Sequence, residues 1–163
     1  MAALLRLHDA LTQAAFGLAC AALLVLLGAY LFEVTARYAF NAPTRWSSDL
    51  VQYALCATVA LALPAVTRDS GHVAITALLD KLSPPRQALA ARAIQALGFL
   101  VTAATAAGFA QIAATQAAQG IETVAAFAIP KWWLSAMVTF GFAGASLHLL
   151  RQALAGTSIR GNP

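Results

Sequence analysis

Residues 33–49 read EVTARYAFNAPTRWSSD, a polar, aromatic and proline-punctuated island between two long apolar runs. A segment of this kind, placed where a chain leaves one apolar run and turns into the next, reads as the water-facing rim of a membrane protein. On the N-terminal side of it, Leu11 to Phe32 holds no charge. Its 22 residues span about 33 Å as a helix, enough to cross a bilayer with slight tilt. That run continues for twelve residues past Cys20, too far for the core of a cleaved signal peptide. On the C-terminal side, Leu50 to Val66 forms a second crossing, opened by Ser47, Ser48 and Asp49, residue types that cap a helix and suit its positive dipole end.

Composition agrees over the whole chain. Of 163 residues, 61% are hydrophobic and 10% charged, far from a soluble domain, and the mean hydropathy is +0.74. The expected fold is all-α: a single membrane domain over 1–163 with four transmembrane helices at about 11–32, 50–66, 87–116 and 132–150. A short interfacial helix is expected between the second and third crossings, where Ile75, Leu78, Leu79 and Leu82 share a face among Arg68, Asp69, His72, Asp80 and Lys81. Ser83-Pro84-Pro85 marks the start of the third helix. Along that helix Gly98, Thr102, Ala106, Ala110, Ala114 and Ala118 recur every four residues, a ridge of small side chains that admits close helix packing or reflects an alanine-rich composition. Pro130, Lys131 and the paired Trp132 and Trp133 open the fourth crossing at a membrane boundary, and 151–163 forms a short tail.

The net charge of +4 is carried by scattered single basic residues rather than a patch, which argues against a nucleic-acid partner. With the N-terminus inside, Arg6, Arg68, Lys81, Arg86, Arg92, Arg151 and Arg160 are cytoplasmic, against Arg37, Arg45 and Lys131 outside. Both termini are therefore expected in the cytoplasm, with 33–49 and the 120–131 turn together on the outer face.

The middles of all four crossings lack Asp, Glu, Lys and Arg, the residues that mark ion and proton pathways. The chain is therefore not expected to conduct a solute alone. No spacing of its acids indicates acid–base catalysis, and Cys20 and Cys56 sit in apolar runs as small hydrophobes. His8, His72 and His148 lie far apart in sequence, and only His148 falls within a crossing, so no catalytic, cofactor or metal site is expected. Within the rim, Glu33 and Arg37 are spaced for an ion pair on one helical face, such that reversing both charges is expected to compensate partly for reversing one. Tyr38, Phe40 and Trp46 form an aromatic belt, and Asn41-Ala42-Pro43 is a turn signal that ends the helix. The segment is either a capped helix end with boundary aromatics or a docking surface for a soluble protein.

The run Glu33-Val34-Thr35-Ala36-Arg37-Tyr38-Ala39-Phe40-Asn41-Ala42-Pro43, followed by Trp46-Ser47 and Asp49, resembles the signature region of the small membrane subunit of tripartite ATP-independent periplasmic (TRAP) transporters, the DctQ family. Arg68-Asp69-Ser70-Gly71-His72-Val73, then Gly120, Ile129-Pro130-Lys131-Trp132 and Gly141-Phe142, extend the likeness. Asp49 stands where the family more often has Glu, Lys131 is an unusual charge, and no proline precedes Gly141.

The resemblance implies a non-enzymatic component of a three-part, sodium-coupled transporter in a bacterial inner membrane. A large elevator-type subunit (DctM-like) would carry sodium and substrate, and a periplasmic solute-binding protein (DctP-like) would deliver an organic acid. The small subunit would brace the large one, and its end with the large subunit separate makes it the unfused kind. On this likeness Glu33, Arg37, Asn41, Trp46 and Asp49 organise the outer surface, His72 fixes the interfacial helix or is simply solvated, and Gly98, Thr102, Ala106 and Ala110 line a packing seam. Two other classes compete with it. One is a small four-helix multidrug exporter, which needs a mid-membrane carboxylate. The other is a membrane anchor of a redox complex, which needs paired histidines at one depth.

Overall fold

The computed structural model describes residues 2–69 and 83–155. The expected interfacial helix and His72 fall in 70–82, and most of the expected tail falls in 156–163; both segments lie outside the described residues. Four helices account for nearly all of what is described: α1 (Ala2–Phe40), α2 (Ser47–Arg68), α3 (Pro84–Gln119) and α4 (Lys131–Ala155). All four are long and apolar enough to cross a membrane.

Two helices outrun the apolar stretches that announce them. α1 has 39 residues and α3 has 36, about 58 and 54 Å at the α-helical rise, against a hydrocarbon core of about 30 Å. Alanine, leucine and other good helix formers continue past the apolar run at both ends, and no proline intervenes before residue 43. α1 stops where the Asn-Ala-Pro signal says it should. Asn41 takes a left-handed φ of 50°, and the Ala42 N–H folds back to the Ala36 carbonyl at 3.0 Å. α3 ends at Gly120, φ 61°, where the Gly120 and Ile121 N–H groups return to the Ala117 and Gln116 carbonyls in a Schellman arrangement.

The helices pack in the order α1, α2, α4, α3. This is an open row, in which α1 also touches α4 near the chain termini. What faces inward is small. On α1 the buried and half-buried positions beyond His8 and Asp9 are Thr12, Ala15, Ala19, Ala22, Leu26, Ala29, Glu33 and Ala36, alternating three and four residues apart, while Leu18, Leu24, Leu31 and Tyr30 point outward. Apolar side chains gain little by leaving lipid, so close backbone approach between small residues holds such helices together.

The tightest approach is between α2 and α4. A Cβ added at Gly141 would overlap the backbone carbonyl of Ala60, and one at Gly144 would lie 2.8 Å from Cγ of Pro64. Pro64 sits inside α2 and has no N–H to give the Ala60 carbonyl four residues earlier. Gly141 thus brings its Cα–H against a carbonyl that has lost its usual helical donor.

The four-residue ridge on α3 turns away from α4. A Leu149 methyl lies 3.2 Å from the Cβ position of Gly98, Thr102 is half-buried with its hydroxyl bonded to the Gly98 carbonyl, and Ala106 is buried. Ala110, Ala114 and Ala118 are exposed. An interval of four residues drifts by about 40° per step around an α-helix, so the inward face passes instead to Phe109, Ala113 and Gln116. Gln116 accepts a 2.8 Å hydrogen bond from Ser135 of α4.

Candidate functional site

The rim is built around one carboxylate. Glu33 is the last buried position of α1, and its side chain ends among donors from three directions. Oε1 accepts Arg37 Nε at 3.0 Å and Nη2 at 2.6 Å. Oε2 accepts the Thr44 backbone N–H and the Ser47 hydroxyl, each at 2.9 Å, and a short bond from the Thr44 hydroxyl. The Glu33–Arg37 pair is therefore one part of a larger device that ties the end of α1 to the turn and to the first residue of α2. Its two members differ in setting: Glu33 is buried, whereas the Arg37 side chain is 54% exposed.

This arrangement changes the expected start of α2. Trp46 occupies the N-cap position, where its indole has no acceptor to offer, and the hydroxyl of Ser47, the first helical residue, bonds Glu33 instead. Asp49 lies in the first turn, where its charge suits the helix dipole, but it leaves the helix to accept the Ala126 N–H at 2.8 Å and the Phe127 N–H at 3.3 Å. Tyr53 reaches the same loop, bonding the Thr123 hydroxyl at 2.7 Å and donating to the Phe127 carbonyl. The loop is itself ordered by a Glu122–Pro130 bridge and by Thr123 N–H to the Ile129 carbonyl. The 33–49 rim and the 120–131 turn thus share one end of the molecule and are bonded to each other.

Among the other rim residues expected from sequence, Tyr38 is 83% exposed, Pro43 and Asn41 are exposed in the turn, and Trp46 tilts against Phe32 with ring centroids 5.7 Å apart. Sequence reasoning missed Thr44, Ser47 as a ligand of Glu33, Tyr53, Gly144 and the α1 seam. The alternating three-and-four spacing from Thr12 to Ala29, small at every position but Leu26, was the available signal for the seam; the others meet partners at least 11 positions away in sequence.

A second polar group lies at the opposite end, where α1 meets α4. Arg151 donates to Asp9 at 2.6 Å and approaches His8 Nδ1 at 3.4 Å. His148, 3% exposed, touches His8 with ring centroids 4.1 Å apart and bonds Thr12 through Nε2 at 3.0 Å. Rings this close leave no room for a porphyrin between His8 and His148. Beside them Arg68 donates to Asp69 at 2.8 Å and holds that carboxyl below its usual range.

The geometry defines a class: a multi-pass helical membrane protein in which, among the described residues, acids and bases stand towards the two ends of the helices, with a polar clasp at each end and no charged group midway. The family comparison gives the class its name. The model of the DctQ component of tripartite ATP-independent periplasmic transporters matches residues 26–158. The chain belongs to that family and is the small membrane subunit of a TRAP transporter, a transport component and not an enzyme. A comparison with curated proteins finds no match.

Proposed function

We propose that this subunit is the fixed scaffold of its transporter: it braces a large elevator-type membrane subunit and offers its rim to the solute-binding protein. Sodium coupling and recognition of the solute, an organic acid, belong on this reading to the other two components. The termini face the cytoplasm and the Glu33–Asp49 rim faces the periplasm, as the balance of basic residues favours.

The observation that carries the proposal is the confinement of charge. Residues 10–32, 50–67, 93–121 and 132–150 contain no Asp, Glu, Lys or Arg, and their one histidine, His148, stands near the end of α4, so the middle of the bilayer offers no charged relay for an ion. What they offer instead is small-residue seams along the bilayer and a rim in which carboxylates hold loops in place. The test is reconstitution in vesicles. Sodium-driven uptake is expected only when this chain, the large subunit and the binding protein are all present. Uptake by this chain alone, or undiminished uptake by the large subunit and binding protein without it, would sink the scaffold reading.

A further inference from the structure

Folding brings together His8 and Asp9, at the start of α1, with His148, near the end of α4. One ligand atom from each lies within 4.8 Å of the others. We propose that these three side chains form a site for a divalent transition-metal ion of the zinc type, a staple between α1 and α4 at the end that holds the chain termini.

Three observations converge on it. The donor set, two imidazoles and a carboxylate, is the mixture that borderline ions such as Zn²⁺ take. The Thr12 hydroxyl donates to the His8 carbonyl at 2.9 Å, so its 3.0 Å contact with His148 uses an oxygen lone pair. His148 Nε2 then carries the proton, and Nδ1 of the neutral ring holds the lone pair that a metal needs. A ligand histidine whose other nitrogen is fixed by a hydrogen bond is the usual second-layer arrangement of a metal site. Finally, Nε2 of His8 is buried and makes no hydrogen bond of normal geometry, the Gly144 backbone lying beside the ring.

Arg151 opposes the ion. Its guanidinium holds Asp9 and faces His8, so binding requires Asp9 to swing from the guanidinium to the metal and the two rings to open slightly, since ligand atoms around Zn²⁺ stand about 3.4 Å apart. The competition gives the proposal its sharpest test, because removing Arg151 has opposite consequences for a metal site and for a simple ionic clasp.

The tag-free full chain, purified in detergent and stripped with chelator, is titrated with Zn²⁺ by calorimetry and with Co²⁺ by visible absorption. One Zn²⁺ per chain is expected, with Co²⁺ ligand-field bands of a nitrogen- and oxygen-ligated ion that Zn²⁺ abolishes. H8N is expected to weaken Zn²⁺ binding at least about a hundredfold, and H148N likewise if that buried position tolerates it. R151Q is expected to tighten binding about tenfold by removing a nearby positive charge. Absence of saturable binding to the wild-type chain, binding unaltered by H8N, or weaker binding by R151Q each overturns the proposal.

Discussion

Gly141 of α4 lies directly against the carbonyl of Ala60 in α2, the carbonyl that Pro64 cannot serve with an N–H. The proline and the glycine act as a pair: one withdraws a helical donor, and the other supplies room and a weak C–H donor in its place. Replacing Gly141 by Ala forces backbone apart, and overpacking of this kind costs about 1–3 kcal/mol or more. Gly108, with nothing within 4 Å of its Cβ position, should accept Ala and gain up to about 1 kcal/mol in helix propensity. Thermal unfolding of G141A and G108A in detergent checks the contrast; equal midpoints would remove the argued role of the close approach.

Glu33 should matter more than Arg37. Glu33→Gln places an amide among Thr44, Ser47 and Arg37, all donors, whereas Arg37→Gln removes one partner and leaves the Thr44 and Ser47 bonds intact. The expected order of thermal midpoints is wild type, then R37Q, then E33Q. Sequence spacing alone would let a reversed pair, E33R with R37E, compensate. In the structure an arginine at 33 would face the Thr44 N–H and the Ser47 hydroxyl, so the double variant should assemble with the large subunit no better than R37E alone. Co-purification of the two subunits measures it.

Asp49 and Tyr53 hold the 120–131 turn from outside. Asp49→Ala should leave the four helices folded while speeding hydrogen exchange at the Ala126 and Phe127 amides, with Tyr53→Phe giving a smaller effect centred on Thr123. Exchange rates unchanged in D49A would show that the turn orders itself without α2.

The two halves of the α3 ridge should separate by experiment. Ala106→Leu inserts volume into the face packed on α4 and is expected to destabilise the isolated chain by about 1–3 kcal/mol. Ala110→Leu, on an exposed position, should leave the isolated chain unchanged. If A110L nevertheless weakens co-purification with the large subunit, the outward part of the ridge is where that partner lies.

These contrasts follow the line between what the sequence shows and what it hides. Four crossings, the stop at Asn41 and the stop at Gly120 are written locally, in apolar runs long enough to span a bilayer and in residues suited to a left-handed turn. The Glu33–Arg37 pair was legible for the same reason, being four residues apart on one helix. Asp49 was legible as a helix-start acid but not as the anchor of residues 126 and 127, because its partners are backbone amides that any residue carries. His8 and His148 stand 140 positions apart, and only the return of α4 alongside α1 makes them neighbours. The drift of the α3 ridge was calculable from helical geometry, yet which part faces inward depends on where α4 sits.

Over most of its height the subunit is a row one helix thick, roughly 10 Å. It behaves as a partition, with two broad sides and very little interior. Acyl chains can wet one side while a second protein lies flat against the other, and neither has to displace a contact the chain makes with itself. On the scaffold reading proposed above, such a wall would supply a stationary reference for whatever moves beside it.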